Sequence, residues 1–230
     1  MFKDLSEFIL NNLQAKVIEQ GLNNYQTFGK NVEDPVSDLI EEYFKKNNYN
    51  YTATRAPDKN TFPDLKITLN NQSYAFEHKA GASDKPPAND LGTLLSLPEK
   101  LKDYKDNIYY TFVKYSKATQ DNGIIIEAVY FDKIYKFIGK RDEDLQLLKY
   151  REKDGNLRPK SWNDFSNGTS YFNSFDEFKI AIQRTNTYRS ERIISKHLDN
   201  LDLAGLEQIQ LILTSKINNY KIESNIDTQD

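Results

Sequence analysis

At 230 residues, with 15 Tyr, 13 Phe and an ordinary 28% of charged residues, the chain can bury a real core, which excludes disorder over most of its length. Cysteine is absent, so disulfides, thiolate metal sites and cysteine nucleophiles are excluded, and a reducing cytoplasm is the natural expectation. The net charge of −3 is unevenly spread: residues 1–42 hold 3 basic and 8 acidic side chains, 199–230 hold 2 and 6, and 43–198 hold 26 and 20, a basic centre that can meet phosphates.

The first predicted element is a helix over 4–20, where Leu5, Phe8, Ile9, Leu13, Val17 and Ile18 recur at helical spacing. Its acids among apolar residues are unlike a secretory leader, and no apolar run approaches the roughly 20 residues that span a bilayer, so no membrane association is expected. After a loop with Gly29, DPVSDLIEEYFKKN predicts a second helix, with Asp34 as N-cap and Pro35 in the first helical position. Two short strands follow in FPDLKITLNNQSYAFEHKAG, residues 62–81, and then a loop, ASDKPPANDLG. TLLSLPEKLKDY reads as partly helical and interrupted at Pro98. Strands are expected at 108–115 and 124–131 around the turn chemistry of SKATQDNG. Residues 151–170 read as an extended surface segment, and 174–220 as two or three helices broken around Gly205. The sum is an α/β fold: a mixed central β-sheet flanked by helices, one domain over 1–220 with a helical C-terminal region, and a flexible tail at 221–230.

The hairpin carries the chemistry. A turn at Asn70-Asn71 pairs Leu69 with Gln72, Ile67 with Tyr74 and Leu65 with Phe76, which gathers Leu65, Ile67, Tyr74 and Phe76 on one face. His78 falls on that face and reads as a satisfied, semi-buried histidine. Asp64, Lys66, Ala75, Glu77 and Lys79 take the other face, with Asp64 directly opposite Glu77. Two facing carboxylates about 5 Å apart repel, so a positive charge belongs between them. Lys66 or Lys79 satisfies this as an ion pair; a hard divalent cation such as Mg²⁺ satisfies it too.

Pro63-Asp64 followed by Glu77-His78-Lys79 resembles the PD-(D/E)xK nuclease superfamily, in which one strand delivers the Asp and the next the carboxylate and Lys. Over roughly residues 27–170, the blocks FGKNVEDPVSDLIEEYF, APDKNTFPDLK, FEHKA, PPANDLGTLLSL and IYYTFVKYSKATQDNG are similar to type II restriction endonucleases of the EcoRV-like group. The resemblance implies a Mg²⁺-dependent homodimer that cuts both strands of a short palindrome in double-stranded DNA. It assigns Asp64 and Glu77 as metal ligands and Lys79 as the catalytic lysine, with Asp38 and Glu41 as candidates for an additional acid from the preceding helix.

DNA contacts are expected from Lys85, Asn89, Asp90 and Thr93 in the loop after the motif, with capping as the alternative for Asp90. Arg158, Lys160 and Asn163 suit a second contacting segment in which Trp162 is a packing anchor, and Lys114 and Lys117 suit phosphates, as do Arg184, Arg189 and Arg192. The apolar stripe Leu198, Leu201, Leu203, Leu206, Ile209, Leu211 and Ile212 reads as a core closure or a dimer seam. A repair or junction nuclease with the same chemistry, and a non-catalytic DNA-binding module with an ion-pair cluster, are the alternatives. No Gly-rich phosphate loop, serine elbow or His-rich metal spacing is present.

Overall fold

The computed structural model describes residues 2, 4–58, 61–119, 123–142 and 146–226, with side chains as far as 219. The chain divides into two compact units, Met1–Thr185 and Asn186–Asp230.

The first unit opens with α1 (Leu5–Glu19), α2 (Phe28–Asn31) and α3 (Glu33–Lys46). The strands β1 (Tyr51–Arg55), β2 (Leu65–Leu69) and β3 (Gln72–Ala82) follow, then α4 (Leu97–Tyr104), β4 (Ile108–Lys117) and β5 (Ile124–Lys133). A small pair, β6 (Lys140–Asp142) and β7 (Leu147–Leu148), precedes α5 (Trp162–Ser166) and the start of α6 (Phe175–Leu198). The second unit holds the rest of α6 and α7 (Leu203–Ile226). Among the described residues no helix is long and apolar enough to cross a membrane.

Five strands form a mixed sheet in the order β1-β2-β3-β4-β5, antiparallel except for the parallel pair β3 and β4 that α4 connects. The α/β architecture is the expected one. Leu65 pairs with Phe76, Ile67 with Tyr74 and Leu69 with Gln72, and the turn residues Asn70 and Asn71 take positive φ, as a tight hairpin requires. Period-2 alternation then serves two cores. Leu65, Ile67, Tyr74 and Phe76 pack under α1 and α3, whose Leu5, Ile9, Leu13, Val36, Ile40 and Phe44 are buried. Ala75, Tyr110 and Phe112 face the other core, shared with α4 and with Trp162, Phe165 and Phe178.

Several local expectations change. The second helix begins at Glu33 rather than Pro35, with Val32 before it and no side-chain cap, because α2 leads almost directly into it. Pro98 lies in the first turn of α4, where its missing N–H costs nothing, so it opens the helix rather than interrupting it. The strand β1 was not expected; only Tyr51 is half-buried along it, so it lacks an apolar face that would announce an edge strand. Segment 151–170 is not simply an extended surface stretch, since Leu157, Lys160, Trp162 and Phe165 are all buried. The break between the last helices falls at 199–202, and Gly205 lies inside α7. Residues 120–122 of the expected turn and 227–230 of the expected tail lie outside the described residues.

Candidate active site

The ladder between β2 and β3 ends at Leu65 and Phe76, while β3 continues beside β4 as far as Ala82. Where β2 leaves, the His78 N–H loses its strand partner. The Asp64 carboxylate takes that N–H at 2.6 Å, so Asp64 is turned in toward β3 rather than standing opposite Glu77 in a regular pair. His78 itself is buried under α3 with its ring 3.2 Å from the Ser37 hydroxyl, and burial pushes its pKa down to about 3. It is a neutral core residue on the face the hairpin implied, but fully rather than semi-buried, and its Nδ1 has no hydrogen-bond partner among the described residues.

Asp64 is 8% exposed, and burial followed by the Glu77 charge raises its pKa to about 7. The Lys79 ammonium donates to Glu77 Oε1 at 2.6 Å. Burial alone would lower the Lys79 pKa; the charges of Glu77 and Asp64 reverse this and raise it. Glu77 Oε2 is buried with no hydrogen-bond partner among the described residues. Two carboxylates that destabilise one another, one with an oxygen unspent, suit a hard cation. Mg²⁺ takes carboxylate oxygens from one or two side chains and fills its octahedron with water and substrate phosphate. Among the described residues no three Asp, Glu, His or Cys side chains gather to hold an ion, so Asp64 and Glu77 would be the protein's share.

The preceding helix carries an acid, passed over in the sequence, whose charge is felt at the site. Glu33, half-buried in the first turn of α3, places its charge close enough to act on both Asp64 and Lys79. Asp38 and Glu41 instead engage Arg55 on β1, each at 2.6 Å. The expected start of the helix at Pro35 concealed Glu33. Tyr110, beside Glu77 in the parallel register, is buried with its hydroxyl donating to Leu91 O at 3.2 Å.

The expected DNA-contacting residues divide by what already engages them. Asn89 donates to Ala80 O at 3.0 Å, and Thr93 Oγ1 accepts from the Ser96 N–H at 3.0 Å at the start of α4. Asp90 pairs with Arg158 at 2.6 Å and Arg151 at 3.2 Å, and Arg158 also donates to Ala88 O, so these groups brace the loop. Lys114 pairs with Glu127 at 3.2 Å. Lys160 is buried, donating to Thr169 O and lying over the Phe165 ring. Lys85, Lys117 and Asn163 are exposed, and Lys85 lines a cleft of about 550 Å³ with Tyr25, Gln26, Gly81 and Asn89 at the far end of β3. Trp162 closes the back of this region: its indole N–H donates to Lys85 O at 2.8 Å, and its ring lies against Gly81.

The family model described as NgoBV restriction endonuclease matches residues 8–201. Among solved structures, the NlaIV restriction endonuclease resembles the chain with a TM-score of 0.51 and 16% identity, over 78% of each chain, a likeness of fold. A search of curated proteins returned no match.

Proposed function

The chain belongs to the NgoBV restriction endonuclease family and is a type II site-specific deoxyribonuclease, and from that premise we propose that it hydrolyses phosphodiester bonds at a short palindromic site in double-stranded DNA, with Mg²⁺, as a homodimer. Within the PD-(D/E)xK superfamily we place it in the EcoRV-like group, near SwaI, on the sequence blocks between residues 27 and 170.

The observation that carries the reading is the juxtaposition of Asp64, Glu77 and Lys79 where β2 departs from β3. Asp64 and Glu77 would hold the cation. Bound there, Mg²⁺ would supply an acidified water and offset charge on the phosphate. The His78 N–H fixes the orientation of the Asp64 carboxylate, and the Lys79–Glu77 contact fixes the ammonium. Lys79 then orients the attacking water and stabilises the negative charge that develops on the phosphoryl oxygens. Exposed Lys85, Lys117 and Asn163 are the side chains available for groove or backbone contacts; Asn89, Asp90, Thr93, Arg158 and Lys114 would first have to exchange present partners.

The test is a long DNA of known sequence incubated with the protein and Mg²⁺. Discrete fragments are expected, absent in EDTA and absent for Glu77→Ala and Lys79→Ala, both of which still shift DNA in a gel. A smear, no cutting, or wild-type cutting by either variant would overturn the proposal.

A further inference from the structure

A second ammonium, no part of the motif, sits on the ring of Phe62, two residues before Asp64 in the chain. Lys100 is on α4, whose buried Leu97 and Leu101 fix the helix in the second core. Its Nζ stands 4.0 Å from the centroid of the Phe62 ring. Tyr104 meets that ring edge-on at 87°, with centroids 6.0 Å apart, so the platform is fixed. The charges of Glu77, Lys79 and Asp64 all act on Lys100, which sets it within the field of the site.

What distinguishes Lys100 from Lys79 is its set of partners. Lys79 is engaged by Glu77 at 2.6 Å, whereas Lys100 makes no ion pair within 4.0 Å among the described residues. A ring face stabilises an ammonium but accepts none of its three N–H groups in a strong hydrogen bond. Lys100 is half-buried, and burial holds its pKa below the ordinary value, so it stays charged at a cost that an incoming anion relieves. A cleft of about 350 Å³ opens beside it, lined by Phe62, Ser96, Glu99, Lys100, Asp103 and Tyr104. The anion that DNA brings to this place is a phosphodiester. Lys79 is held by Glu77, so an ammonium free of a carboxylate partner on the substrate side would add to the charge that a bound cation offsets.

We propose that Lys100 is a phosphate ligand of the cleavage site, its ammonium held on the Phe62 ring and donating to a non-bridging oxygen of the scissile phosphodiester. The assignment rests on the nuclease reading above. Lys79, held by Glu77, orients the attacking water and meets the phosphate from the carboxylate side, and Lys100 adds a second positive charge to the phosphate as charge builds on it.

The absence of cysteine allows a direct test. Lys100→Cys is expected to slow single-turnover cleavage by about 10²-fold. Alkylation with 2-bromoethylamine, which restores an ammonium, is expected to recover most of the rate; alkylation with iodoacetamide, which is neutral, is not. Without divalent metal, the salt dependence of DNA affinity is expected to become shallower by about one in log–log slope and to recover with the aminoethyl group. Lys100→Met, which keeps the apolar stem over Phe62, is the second variant and is expected to lose the same slope. Wild-type cleavage by Lys100→Cys, equal recovery with both reagents, or an unchanged slope in both variants would overturn the assignment. Should the wild-type protein cut no DNA with any divalent metal, the nuclease reading fails by itself, and the salt slope still decides whether Lys100 meets phosphate.

Discussion

The Asp64 carboxylate accepts the His78 backbone N–H at 2.6 Å, so one side chain both closes a gap in the sheet and faces the candidate metal position. The two duties can be separated. Asp64→Ala leaves the buried His78 N–H without its partner and is expected to be less stable than Asp64→Asn by about 1–3 kcal/mol, since both substitutions relieve the repulsion with Glu77. Asp64→Asn keeps an oxygen acceptor and removes the repulsion with Glu77, so its stability is expected to stay near wild type. Both variants are expected to lose cleavage. Urea denaturation beside a cleavage assay checks this, and equal destabilisation by the two substitutions would deny Asp64 its role in the sheet.

Glu33 separates from the other acids of α3 by the same logic. Its charge acts on Asp64 and Lys79, while Asp38 and Glu41 are held by Arg55. Glu33→Gln is expected to lower the cleavage rate by about 10–100-fold, the range for groups that support metal ligands. Asp38→Asn and Glu41→Gln are expected to cut at close to the wild-type rate. Rates for the three variants at saturating metal decide it; a larger loss from Asp38→Asn or Glu41→Gln would return the helix acid to those positions.

Gly81 and Trp162 are matched. A Cβ on Gly81 would come within 2.7 Å of Trp162 Cζ2, so Gly81→Ala is expected to destabilise the protein by about 1–3 kcal/mol through overpacking. In a Trp162→Leu background the close indole atoms are gone and Asn89 Oδ1 at 3.8 Å is an ordinary contact, so the same substitution is expected to cost well under half as much. Denaturation of the four proteins of this cycle gives the coupling, and an additive result would mean that the indole yields freely.

How far the site was legible follows from which contacts are local. The Asn-Asn turn and the alternation of Leu65, Ile67, Tyr74 and Phe76 set the hairpin register, and the register put Asp64, Glu77 and Lys79 at one place. That β2 starts only at Leu65, leaving Asp64 outside the ladder, was not legible, because it depends on the chain between β1 and β2 rather than on the hairpin. Lys100 comes to the Phe62 ring on a crossover helix, and nothing in EKLKDY distinguishes it from Lys102. Lys160 reads as a surface residue in a polar segment, yet Trp162 and Phe165 draw that segment inward and take it with them.

Lys160 therefore gives the stability a defined pH dependence. Burial lowers its pKa to about 8, against 10.5 in an unfolded chain. Between these values the unfolded state binds more protons than the folded one, so stability rises with pH: the penalty for the buried ammonium is full below pH 8 and is gone above 10.5. Lys160→Met has no such penalty. Relative to that variant, the wild-type protein is expected to gain on the order of 2 kcal/mol between pH 7 and pH 10. Burial also raises the pKa of the Tyr109 and Tyr110 phenols, which weakens the fold as pH climbs past 10, but both proteins share those groups and the difference cancels them. Urea midpoints for the pair at pH 7, 8.5 and 10 measure the gain. A constant difference across the series would show that the Thr169 carbonyl and the Phe165 ring fully compensate the buried charge.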